Sequence, residues 1–171
     1  MYEILEAGQF SIVGGVVLNY GYRTVDNNGL LEIKNNYLEL TAPKSKKTIS
    51  GLPVFDTVRN FFMAGTEDIK KVMWDEELKL AEHMDFFLRF KETDKLVTCL
   101  ECVKVDHYPE RFGNYKEYRD RSKYYSSLMY KKHSIEGKAL KRVKLSLLRR
   151  ISNKIAMLLC LIEVKLRRKS A

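Results

Sequence analysis

The rhythm of apolar and polar positions changes several times along the 171-residue chain, and each change predicts a different element. From Phe10 to Val25 the run FSIVGGVVLNYGYRTV is rich in β-branched and aromatic residues, which favours a strand. Gly14-Gly15 inside it predicts a bulge or sharp bend, since neither a lysine at phosphate-loop spacing nor a helix start follows. DNNG at 26–29 is a turn. LLEIK, NN and YLELT then read as a tight hairpin, because Asn35 and Asn36 tolerate the positive φ that a two-residue turn demands. PKSKK at 43–47 is a polar, basic connection.

Beyond it the period lengthens. Pro53 suits a first helical turn, so FDTVRNFFMA predicts a short helix stopped by Gly65. Thr66 then caps a second helix, with Glu67 and Asp68 in its first turn, running through IKKVMWDEELKLAEH. DFFLRF and LVTCLECVKV read as a second hairpin, with Phe86, Leu88 and Phe90 alternating to one face. Asn114 with Glu117 opens a helix over YKEYRDRSKYYSSLMYKK, and Ser134 with Glu136 opens a long terminal one.

On that terminal helix Leu140, Val143, Leu147, Leu148, Ile151 and Ile155 fall on one side, and Lys138, Lys141, Arg142 and Arg149 on the other. From Ile155 to Val164 apolar residues circle the helix, so this stretch needs enclosure by the fold or by a second chain, which predicts a homodimer or partner contact there. A continuous helix over 135–168 would be about 50 Å long, so it either breaks near Ser152-Asn153 or protrudes as an arm. The order of elements predicts an α+β fold: antiparallel β-hairpins packed with helices, ending in a long basic amphipathic C-terminal helix. A single domain over 1–171 is expected, with a β-rich acidic half at 1–110 and a basic helical half at 111–171.

Charge sharpens the picture. Residues 1–110 hold 13 Lys/Arg and 18 Asp/Glu, whereas residues 111–171 hold 18 and 4, so the halves carry −5 and +14. Five negative charges cannot neutralise fourteen positive ones, and a basic surface should survive folding to meet a polyanion, a membrane surface or an acidic protein. Glu3 and Glu6 precede the first apolar stretch, which argues against a signal peptide, and the run IAMLLCLIEV falls far below the ~20 residues a spanning helix needs. With three cysteines and no secretory signal, a cytoplasmic, thiol-reduced residence is expected.

Six of the ten tyrosines (108, 115, 118, 124, 125, 130) lie within 23 residues, interleaved with Arg and Lys, a mixture suited to stacking bases and neutralising phosphates. Tyr115, Tyr118, Tyr125, Leu128 and Met129 share a helical stripe and are expected in the core, leaving Tyr124 and Tyr130 for the surface. The candidate nucleic-acid-binding residues are Lys116, Arg119, Arg121, Lys123, Tyr124, Tyr130, Lys131, Lys132, Lys138, Lys141, Arg142, Arg149 and Arg150. Arg149-Arg150-Ile-Ser152 and Arg167-Arg168-Lys-Ser170 resemble basophilic kinase sites, but a segment this basic produces such matches by composition.

Other chemistry is thinner. Cys99 and Cys102 form a lone CxxC, with His107 and Cys160 as imaginable partners, yet residues three apart on a strand point to opposite faces and cannot chelate one ion. Asp26 with Glu32 and Lys34 echoes a metal-dependent nuclease arrangement, though Glu-x-Lys recurs at 163–165. His83, His107 and His133 have no nucleophile motif beside them, so no catalytic residue, metal or cofactor is assigned. The sequence therefore points to a small non-enzymatic nucleic-acid-binding protein. A protein-interaction module, such as an inhibitor or accessory subunit of a nucleic-acid-processing machine, comes second, and peripheral membrane binding through the basic helix third.

Overall fold

The structure, a computed structural model, describes residues 1–19, 22–23, 28–41, 47–108 and 114–139, with the side chains of 22–23 and 114–116 outside that set. It is α+β. After a one-turn helix α1 (Tyr2–Glu6), β1 (Ile12–Asn19) runs through the middle of a four-stranded sheet. It pairs antiparallel with β2 (Tyr22–Arg23) and β7 (Phe62–Ala64), and parallel with β8 (Val97–His107) along its other side. Ile12 and Val13 both have no solvent exposure, so this strand is covered on both faces, as strands in parallel pairings usually are.

The glycine pair has a packing reason. A Cβ on Gly14 would lie 2.9 Å from that of Val58, and one on Gly15 would lie 2.5 Å from the Phe61 ring. Immediately after Gly15 the register against β8 slips, Gly15 facing Leu100 and Val16 facing Lys104. An irregularity thus falls where the sequence placed one, but its extra residues, 101–103, are on β8 and not in the glycine run.

The Asn35-Asn36 hairpin also forms as expected, β3 (Leu30–Lys34) against β4 (Tyr37–Thr41), with φ of 50° and 62° at the two turn residues. Four other expectations are overturned. Residues 53–64 are extended rather than helical: β5 (Thr48–Ile49) and β6 (Leu52–Pro53) form a small hairpin, and the following amides are taken by distant partners. The Asp56 and Thr57 N–H groups donate to Gly29 O, Phe55 N–H donates to Val97 O, and Asp56 Oδ2 accepts from Leu31 N–H at 2.8 Å.

The single helix expected over 66–83 is broken into pieces. Gly65 rather than Thr66 is the N-cap of α2 (Thr66–Val72), which stops at Met73 with φ +53°. Asp75 then accepts from Glu77 N–H at 3.0 Å and starts a 3-10 helix (Glu76–Ala81), which kinks at Lys79 before α3 (Glu82–Lys91). The third correction follows from this, because DFFLRF belongs to α3 and not to a hairpin strand. Phe86, Phe87, Leu88 and Phe90 are all buried there, a set that a half-buried strand could not enclose. Trp74 stacks on Phe86 at 4.2 Å between centroids, Phe86 on Phe90 at 5.4 Å, and Phe87 meets Phe86 edge-on at 5.1 Å. These rings form the centre of the core.

The helix expected over 114–132 forms as α4 (Asn114–Asp120) and α5 (Ser122–Lys132), divided at Arg121. No helix opens at Ser134, however. Ser134 takes φ +54°, Glu136 N–H donates to Asn36 O, and β9 (Gly137–Lys138) pairs parallel with β4. The amphipathic stretch from Leu140 onward, including Lys141, Arg142, Arg149, Arg150 and Ile155–Val164, lies outside the described residues. Among those described, no helix is long and apolar enough to cross a membrane.

One polar cluster fastens the helices. Asp85, with no solvent exposure, accepts from Arg89 Nε at 2.9 Å and a terminal guanidinium nitrogen at 2.6 Å on one oxygen, and from Lys132 Nζ at 3.0 Å and His133 Nε2 at 2.8 Å on the other. Arg89 also donates to the carbonyls of Val72 and Met73, closing the C-terminus of α2, and Lys132 reaches Asp75 Oδ2 at 2.6 Å. Burial pushes the Asp85 carboxyl up, but the hydrogen bonds from Arg89, Lys132 and His133 outweigh it and hold the group below the usual carboxylate range. Asp85→Asn leaves one partner set unmatched at the joint of three helices. It should lower unfolding free energy by about 3 kcal/mol, read from urea midpoints, whereas Lys132→Met should cost less because that side chain is only partly buried.

Candidate nucleic-acid interface

α5 turns one face inward. Tyr125 and Met129 are buried against the 3-10 helix, where Leu78 and Ala81 are buried too, and Leu128 and Tyr130 pack partly against the same core. The opposite face is fixed by helical period: Lys123, Ser127 and Lys131 recur every fourth residue and are exposed, with Tyr124 beside them. Tyr124 is 51% exposed, and the Arg121 guanidinium lies 5.4 Å from its ring centroid and 5.7 Å from that of Tyr125. At such distances a guanidinium is attracted to the ring face. Tyr124 and Tyr125 meet edge-on at 5.4 Å, so the exposed ring is held by its buried neighbour.

α4 extends this surface with exposed Tyr118 and Arg119, and exposed Arg121 lies at its junction with α5. Tyr118 is 41% exposed, which corrects its placement on the buried stripe; the helix is divided at Arg121, so the period of α5 does not carry through to α4. Tyr130, expected at the surface, is half-buried against the core. Lys132 is not a free cation, because Asp75 and Asp85 hold it, and burial that would lower its pKa is outweighed by those hydrogen bonds, which raise it. Lys138 is exposed, but on β9 and not on a helix. The side chains of Tyr115 and Lys116 lie outside the described residues, as do Lys141, Arg142, Arg149 and Arg150.

The remaining candidates separate. Cys99 is buried, its sulfur accepting from Asn28 Nδ2 at 3.0 Å, while Cys102 is exposed in the bulge opposite Gly15-Val16, so the pair does not converge. Among the described residues no group of three potential ligands gathers to hold a metal ion. Lys34 is paired with Glu32 on the same strand, which raises its pKa, and Asp26 lies outside the described residues. His107 lies exposed with Nδ1 2.6 Å from Asn19 Oδ1.

The sequence reading missed a polar pair beneath this surface, at the start of α3. Burial raises the Glu82 carboxyl, and its own backbone amide and the charge of Arg119 pull it back only in part. Burial lowers His83 to about 4; the Val58 carbonyl opposes that shift and the charge of Arg59 adds to it. His83 Nδ1 and Glu82 Oε2 are buried and find no hydrogen-bond partner among the described residues. Between about pH 6.5 and 4 the unfolded chain protonates this histidine and the folded one does not, so stability falls as pH falls through that window. From pH 7 to 5 the loss should be about 2 kcal/mol, and His83→Gln, which keeps a donor and cannot titrate, should flatten it in denaturant titrations at the two pH values. An identical slope in the variant would assign the acid sensitivity elsewhere.

Comparison of the chain with protein-family models, with curated proteins and with solved structures finds no match.

Proposed function

We propose that this protein binds nucleic acid, without catalysing a reaction on it, through the exposed face of α4 and α5. The observation that carries this reading is the half-exposed Tyr124 ring with Arg121 against it, set beside the exposed lysines 123 and 131. A planar face for a base and cations for the flanking phosphates are what a single strand needs from a protein surface. Exposed acids lie close by, Glu117 and Asp120 on α4 and Glu76 and Glu77 on the 3-10 helix. This mixed field favours a strand whose unpaired bases can stack over a duplex held by phosphate charge alone. The basic residues 141, 142, 149 and 150 supply further charge for the same ligand.

Fluorescence anisotropy with a labelled single-stranded oligonucleotide over a salt series tests the reading. Log affinity should fall linearly with log salt, by about 0.7 per phosphate contact, and Lys123→Glu with Lys131→Glu should flatten that slope. Tyr124→Ala should weaken binding about 5- to 150-fold and leave the slope unchanged. Absence of binding to single- and double-stranded nucleic acid at low salt defeats the proposal, leaving the basic helices for an acidic protein surface.

A further inference from the structure

The nucleic-acid reading treats α5 as a surface, and an aromatic recess includes Trp74, two residues before the 3-10 helix on which α5 packs. An open cavity of about 280 Å³ is lined by Asn60, Phe62 and Trp74. The planes of Phe62 and Trp74 are within 9° of parallel, with centroids 6.3 Å apart. Each ring is braced from the core side: Trp74 stacks on Phe86 at 4.2 Å, and Phe62 meets Phe87 edge-on at 6.1 Å. Both are only partly buried, so each keeps open surface, and exposed Asn60 adds a primary amide carrying a donor and an acceptor side by side.

We infer that this recess is a binding slot for one nucleobase, stacked on Trp74 and Phe62 and hydrogen-bonded along one edge by Asn60. The two rings stand with centroids 6.3 Å apart and planes within 9° of parallel, so a flat group seated in the recess meets both in one orientation. The cavity is smaller than sites for drug-sized ligands, about 300–1,000 Å³, and suits a single planar group. An Asn side chain matches the paired donor and acceptor that a base edge presents.

Another cavity among the described residues, about 410 Å³ beside Leu30, Phe55 and Phe90, lacks such an invitation. Its Asp56 and Lys91 hold each other at 2.7 Å, and Lys95 reaches Asp68 at 3.4 Å.

The slot deepens the proposed function and rests on it for its ligand. Asp75, next to Trp74 in the chain, holds Lys132 at the C-terminal end of α5, and exposed Lys131 precedes it.

Trp74 is the protein's one tryptophan, so its fluorescence reports on the slot alone. The full chain is titrated with nucleoside monophosphates, with a short single-stranded oligonucleotide and with inorganic phosphate. Saturable quenching by the mononucleotides or the oligonucleotide, and none by phosphate, is expected. Asn60→Ala, at an exposed position, and Phe62→Leu should each weaken binding at least about fivefold. Quenching by mononucleotides identifies a site for free bases, and quenching by the oligonucleotide alone identifies a subsite of a longer strand; either supports the slot. Oligonucleotide binding by anisotropy with Trp74 fluorescence unchanged overturns the slot and leaves the helix surface standing. Mononucleotide quenching without any oligonucleotide binding removes the helix reading and keeps the slot. Unchanged affinity in Asn60→Ala, or equal quenching by phosphate, also overturns it.

Discussion

A carboxylate sealed from water must be answered on every lone pair, and at Asp85 that demand determines how the helices meet. Its two oxygens accept four hydrogen bonds, two from Arg89 on the same helix and one each from Lys132 and His133 at the end of α5. Arg89 spends its remaining donors on the last carbonyls of α2, and Lys132 adds Asp75, the cap of the 3-10 helix. Four helical segments are thereby referred to one atom group. An unmatched buried charge costs several kcal/mol, so alternative packings of α5 are disfavoured more strongly than apolar contact alone would achieve. The same joint orients Trp74, which precedes Asp75 and lies on Phe86, one residue along α3 from Asp85.

The sheet obeys a different constraint. β1 is apolar on both faces at Ile12 and Val13, so it needs partners on both edges and layers on both sides. It obtains the edges from segments far away in sequence, β7 on one side and β8 on the other, and the absent side chains of Gly14 and Gly15 let Val58 and Phe61 close over it. The loop at 54–61 is thus a lid on the strand. Its extended form follows from those contacts and from its bridges to Gly29 and Val97.

Local signals were legible in the sequence and non-local ones were not. Asn35-Asn36 specifies its turn by φ tolerance alone, and the helical period over 114–132 needed no tertiary information, while the glycine pair marked the place of a register slip whose cause is the packing of Val58 and Phe61. DFFLRF misled because Phe86, Leu88 and Phe90 alternate, yet Asp85 and Arg89 four apart, with Phe87 between them, carry the helical spacing that the fold uses. Pro53–Ala64 has helix-compatible residues, and only pairing with segments some 25 and 40 residues distant makes it extended. Tyr124 was placed correctly because one face of a helix is a local property. Tyr130 and Lys132 were misplaced because what holds them, the core cluster for one and the carboxylates of Asp75 and Asp85 for the other, is remote in sequence. The recess of Asn60, Phe62 and Trp74 has no sequence signature, since three residues from two separate segments become neighbours only through the core.

Charge asymmetry, the strongest sequence signal, changes meaning once the chain is folded. The acidic stretch around Asp75, Glu76, Glu77 and Glu82 does not stand apart from the basic helices but lies beneath them: Asp75 binds Lys132, and Arg119 acts on Glu82. Part of the positive charge of α4 and α5 is therefore consumed in holding these helices to the body, and the part left over is short and flanked by acids. A surface of that kind attracts polyanions over only a few charges, and screening confines its reach to about 8–10 Å at ordinary ionic strength. What distinguishes one ligand from another at such a surface is then contact chemistry at close range. Among the described residues that chemistry is aromatic, Tyr124 with Arg121 on the helix and Trp74 with Phe62 at the recess, and both arrangements present flat rings rather than a field.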